Sequence, residues 1–143
     1  MSQNEELLRR LVLELQILEG TANMLQTRIS YINAAMTEMQ IASETLNGLK
    51  GEQAGVEVLV PIGGGSYVKA KLEDTSRVVV GIGATVSTER DASSAQEEIG
   101  ARLLELEKAR SAAQKQLEDV AAQINRTQNQ VKAMTGQQSE GKK

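Results

Sequence analysis

The chain has 143 residues, the size of one domain, and a formal net charge of −3. It holds no His, Cys, Trp or Phe and two Tyr. This excludes a Ser-His-Asp triad, a Cys nucleophile, a His general base and any disulfide, restricts a zinc site to carboxylates, and argues against a nucleic-acid binder that needs a basic face.

From the N-terminus, Leu8, Leu11, Leu15, Leu18, Ala22, Leu25, Ile29, Ile32, Met36, Met39, Ser43 and Leu46 recur at alternating gaps of three and four. A period of 3.5 sustained this long predicts a coiled-coil helix over 5–47. Asn47-Gly48 is its expected stop, since both tolerate the left-handed conformation.

The middle of the chain alternates with period two, the signature of strands. Val56–Ile62 and Tyr67–Leu72 flank Gly63-Gly64-Gly65-Ser66, which reads as a hairpin turn. Arg77–Ile82 is a third strand, and Gly83-Ala84 turns into a fourth, Thr85–Thr88. The expectation is two β-hairpins within 56–89. Both faces of strands 56–62 and 77–82 carry aliphatic side chains, more than one thin coiled coil can cover, so oligomerisation through this region follows.

A second heptad series runs through Ile99, Leu103, Leu106, Arg110, Ala113, Leu117, Val120, Ile124, Thr127, Val131 and Met134. It predicts a helix over 93–134, opened by a capping box at Ser94 with Glu97 or at Ser93 with Gln96. Arg110, on the seam, sets register or snorkels. Residues 135–143 are polar and read as a flexible tail. At ~1.5 Å per residue the seams span roughly 57 and 62 Å, matched for an antiparallel pair. The whole chain thus reads as one α+β domain, 1–143.

No apolar run approaches a membrane span, and the first residues lack a basic start followed by an apolar block, so a cytoplasmic protein is expected. The glycine clusters precede strands, not helices, and so do not read as phosphate loops. Asn125-Arg126-Thr127 matches a glycosylation triplet but lies mid-helix. Glu5-Glu6 and Glu97-Glu98 sit where acids complement a helix dipole. No cofactor or metal is expected.

The N-terminal helix carries more apolar residues than its seam requires: Leu7, Val12, Leu13 and Ile17 lie off it. Surplus apolar area at the helix end suggests either a site for another protein or packing against another subunit's helix.

The helix, two-hairpin, helix order resembles the alpha class of the prefoldin family. So do Val58-Leu59-Val60-Pro61-Ile62, Ser66-Tyr67-Val68, Leu72-Glu73-Asp74-Thr75 and Val78-Val79-Val80-Gly81-Ile82-Gly83. After Gly83 the chain departs from the family, with Ala84-Thr85-Val86-Ser87-Thr88 where aromatics are common; the acid Glu89 is retained. The resemblance implies an ATP-independent chaperone subunit, not an enzyme. It implies a heterohexamer of two alpha and four beta-type subunits, whose hairpins build a β-barrel platform. It also implies that unfolded clients are held at the coiled-coil tips and passed to a group II chaperonin, with no nucleic-acid or membrane partner. The platform contacts would be Val56, Val58, Val60, Val68, Leu72, Val78, Val80 and Ile82. The surplus-apolar argument puts the client-binding tip at Leu7, Leu8, Leu11, Val12, Val131 and Met134. A coiled-coil scaffold for one folded partner is the alternative.

Overall fold

The computed structural model describes residues 2–140, without the side chains of Ile82 and 137–140. Its elements are helix α1 (Gln3–Leu49), strands β1 (Glu57–Gly63), β2 (Ser66–Lys71), β3 (Arg77–Gly83) and β4 (Val86–Asp91), and helix α2 (Ala92–Glu140). They form two compact bodies. One comprises the residues up to Ala34 and those from Glu107 onward; the other is Ala35–Leu106.

In the first body α1 and α2 lie antiparallel. Leu7 and Leu11 line one shallow cleft with Gln130, Ala133 and Met134. At the other end of this body, Arg110 Nη1 donates to Asn33 Oδ1 at 3.4 Å. Leu25 and Ala113 are each 2% exposed, the tightest points of the seam. Every heptad position from Leu8 to Leu46 and from Ile99 to Met134 is buried or half-buried. Between residues 100 and 136 every position off the seam is exposed. The period of the apolar residues is therefore the period of burial, as a two-helix seam requires. The two polar positions on the α2 side of the seam are absorbed differently. Thr127 is buried, whereas Arg110 stays half-buried and extends its guanidinium to Asn33.

Helix ends depart from the sequence reading. Ser2 caps α1: its Oγ accepts from the Glu5 amide at 3.3 Å and its carbonyl accepts from Glu5 and Glu6. Gly48 lies inside α1 and is not left-handed; the helix ends at Leu49, and the left-handed glycine is Gly55, at φ 90°. The Gly55 amide donates to the Leu72 carbonyl at 2.6 Å, which begins the first hairpin. At α2 neither expected capping box forms. β4 runs straight into the helix, so Ser93 and Ser94 lie within its first turn and Asp91 stands at the N-cap position. Ala92 N–H donates to Ser76 O at 2.8 Å. α2 continues past Met134 through Thr135 and Gly136 to Glu140; the remaining tail residues, 141–143, lie outside the described residues.

In the second body each hairpin is its own two-stranded antiparallel sheet, β1 with β2 and β3 with β4. Among the described residues of one chain there is no closed barrel. The β1–β2 turn is Gly64-Gly65, at φ 60° and 75°, conformations glycine adopts without steric cost. Val56 precedes β1 and Leu72 follows β2, yet the Leu72 amide donates to the Val56 carbonyl at 3.0 Å and prolongs the ladder. The second turn is Ala84-Thr85, one residue beyond the expected Gly83-Ala84, and β4 is longer than the expected Thr85–Thr88. The cause is a bulge between Gly81 and Gly83, which moves the turn outward and leaves Ala84 and Thr85 at φ 50° and 63°. A β-branched residue is uncommon there.

The connection between the hairpins is held by Asp74, whose Oδ1 accepts from the Ser76 amide at 2.8 Å and the Ser76 hydroxyl at 2.7 Å. Those bonds, the hydroxyl's foremost, and the nearby Arg77 charge hold the Asp74 carboxyl below its ordinary value of 3.8. Thr75 Oγ1 donates to Glu52 O at 3.1 Å. β3 closes over an apolar groove lined by Leu46, Leu49, Val78, Val80, Ala95 and Ile99. An Arg90–Glu98 ion pair ties β4 to α2.

Two candidate interaction surfaces

The first surface lies where α1 begins and α2 ends. A two-helix seam uses one stripe of α1, and the rest of an ordinary helix faces water with polar side chains. Here Leu7, Val12, Leu13 and Ile17 are 40–69% exposed. Leu8, Arg9, Val12 and Leu13 border a shallow depression on α1, and Leu7 and Met134 share the cleft between the helices. Leu11 is 8% exposed, so it belongs to the seam and not to a free surface. Leu8, Val131 and Met134 are half-buried. The residues named from the sequence thus lie at one end of the pair, and four of them, Leu8, Leu11, Val131 and Met134, are heptad positions of the seam, Leu11 the most buried. The sequence reading also leaves Leu13 and Ile17, the two most exposed of the apolar residues there, out of the site. The signal that finds them is their place opposite the seam. Met24 and Tyr31, 54% and 74% exposed, continue the same row at spacings of seven.

The second surface is the pair of hairpins. Val56, Val58, Leu72, Val78 and Val80 are half-buried. Val60 and Val68 remain 44% and 48% exposed, with Leu59 and Ile62 at 60% and 64%. The Ile82 side chain lies outside those described. A two-stranded sheet is marginal by itself, and both faces of the β1–β2 hairpin present aliphatic side chains to solvent.

Neither surface resembles a reaction centre. The glycine clusters form the β1–β2 turn and the β3 bulge. Thr127 of the glycosylation-like triplet is buried in the seam. Among the described residues no three acidic side chains gather as a metal site, and no helix is long and apolar enough to cross a membrane.

Comparison with known proteins agrees with this architecture. Residues 18–137 match the family described as prefoldin subunit. The chain is 41% identical over 110 residues to prefoldin subunit alpha of Methanopyrus kandleri, covering 77% of this chain and 70% of the relative. It is 31% identical over 140 residues to prefoldin subunit alpha of Pyrococcus horikoshii, covering 97% and 95%. Among solved structures it superposes on filamentous PFD from Methanocaldococcus jannaschii with a TM-score of 0.67 at 25% identity, over 78% of this chain and 92% of that one. With a seam, two hairpins and matched sequence along most of its length, the chain belongs to the prefoldin family, in its alpha class.

Proposed function

We propose that this chain is an ATP-independent chaperone subunit of the cytoplasm that holds unfolded polypeptides at the open end of its helix pair and passes them to a group II chaperonin. The observation that carries the reading is the exposure of Leu7, Val12, Leu13 and Ile17 beside the cleft of Leu7 and Met134. The surface is shallow and aliphatic. Glu5, Arg9 and Gln16 border the aliphatic side chains without enclosing a pocket, so the surface suits weak contact with many apolar segments better than one precise ligand. Such contacts gain strength when several subunits present them together. The hairpins supply that multiplicity in a heterohexamer of two alpha and four beta-type subunits, whose pooled strands form a barrel platform. Val58, Val60, Val68 and Val80 are the contacts expected there.

The test replaces Leu7, Val12, Leu13 and Ile17 with Ser in the full chain, assembled with a beta-type prefoldin subunit. The native mass is expected to stay that of the unmodified assembly, while suppression of client aggregation falls several-fold. Full suppression by the assembled variant would remove the holding role from this surface. Stoichiometric capture of a single folded protein would instead favour a scaffold.

A further inference from the structure

Away from its seam, α1 carries a second series just as regular. Leu13, Ile17, Gly20, Met24, Thr27, Tyr31 and Ala34 recur at alternating gaps of four and three. All of them are exposed, and Leu13, Ile17, Met24 and Tyr31 are each more than half exposed. Arg10 and Glu38 take the next places of the series at either end, so charge bounds the apolar row. The row spans about six helical turns.

Ile17, Met24 and Tyr31 form one edge of this row, and Gly20, Thr27 and Ala34 form the other, with Leu13 at its start. A glycine inside a helix costs stability relative to alanine. Nothing within the chain calls for Gly20: a Cβ there would meet no atom within 4 Å, and its φ is not left-handed. Large side chains beside a line of small ones are the knobs and holes that one helix of a coiled coil presents to another.

The charges beside the row select the occupant. Glu14 and Arg28 flank it on the same side and are exposed. Among the described residues neither makes an ion pair within the chain. A second copy laid antiparallel along the row, with Met24 facing Gly20, also sets Ile17 against Thr27 and Tyr31 against Leu13. In that register Glu14 of each copy comes beside Arg28 of the other. Sliding by one heptad sets Glu14 beside Ala35 or Thr21 and loses both ion pairs. Parallel pairing stacks Met24 on Met24, leaves Gly20 opposite Gly20 and forms neither ion pair. We propose that this chain recognises a second copy of itself through this outer face of α1, antiparallel and in the register that pairs Glu14 with Arg28. The contact is small, so it forms as concentration rises and dissociates on dilution. It covers Leu13 and Ile17, yet it does not depend on client holding and involves no hairpin.

The test exploits the absence of cysteine from the chain. Ile17→Cys and Thr27→Cys are made separately in the full chain, mixed in equal amounts at high concentration and treated with a short bifunctional thiol reagent. The mixture is expected to give a two-chain product joining position 17 to position 27, identified by peptide mass spectrometry. Either variant alone is expected to give about ten-fold less or lower, because the antiparallel register holds like positions about 15 Å apart. Adding Glu14→Arg to both chains, or Arg28→Glu to both, is expected to lower the yield about ten-fold, with helix content unchanged by circular dichroism. Glu14→Arg in one chain and Arg28→Glu in the other is expected to restore it. Absence of the 17–27 product, or like-with-like products in equal yield, overturns the proposal. So do charge variants that cross-link as before, or a charge-swapped mixture that fails to recover.

Discussion

Among the described residues, Asp74 is the titratable group whose environment clearly moves it. It lies at the surface, so the cause is local: the Ser76 hydroxyl and amide favour the charged carboxylate, and Arg77 adds to them. A carboxyl lowered in the folded state contributes stability above its unfolded value. That contribution is lost as pH falls through the lower folded value. The inter-hairpin connection should therefore hold its turn until well into the acid range. Removing the hydroxyl with Ser76→Ala is expected to raise the Asp74 midpoint toward 3.8, read by carboxyl NMR titration. An unmoved midpoint would show that the hydroxyl is not the cause.

At the scale of the element, α1 presents two apolar stripes with different consequences. Leu25 is 2% exposed in the seam, and Ile17 is 69% exposed opposite it. Leu25→Ala is expected to destabilise the chain by about 2–5 kcal/mol, through lost burial and the cavity left behind. Ile17→Ala should change stability by less than about 0.5 kcal/mol. Denaturant unfolding distinguishes them, and equal losses would mean that Ile17 is packed after all. The seam was legible in the sequence because a 3.5-residue period and burial report the same geometry; even Arg110 and Thr127 sit where the pattern puts them. Helix ends were harder, because a Ser followed three residues later by Glu or Gln permits a capping box but does not ensure one. At Ser94 the pattern is present, but the uninterrupted β4–α2 join places it inside the helix. At Ser2 with Glu5 the same spacing coincides with a true start. Leu11 stands on the heptad series, and its burial follows that period. The second hairpin's turn escaped the reading because a bulge, which leaves little mark on composition, moved it by one residue.

For the molecule as a whole, the hairpins are the part least complete alone. Val60 and Val68 oppose each other in the β1–β2 ladder and both remain about half exposed. A carboxylate at Val60 costs a lone chain little, since water already reaches it, but it would be stranded in an assembled interface. Val60→Asp is therefore expected to leave helix content unchanged by circular dichroism and to abolish the oligomer in native mass measurement. An oligomer of normal mass would mean that this face stays wet in the assembly. The hairpin's alternation was legible in the sequence, because successive side chains of a strand point to opposite faces.

The two tyrosines have a practical consequence. Tyr31 lies on α1 in the row that continues from Leu13 and Ile17, and Tyr67 lies on β2, opposite Pro61. Both are exposed, and the chain has no Trp to outshine them. The protein therefore carries two native fluorophores, one in each compact body. Replacing either with Phe leaves an emission that reports on a single body, with no dye or label added.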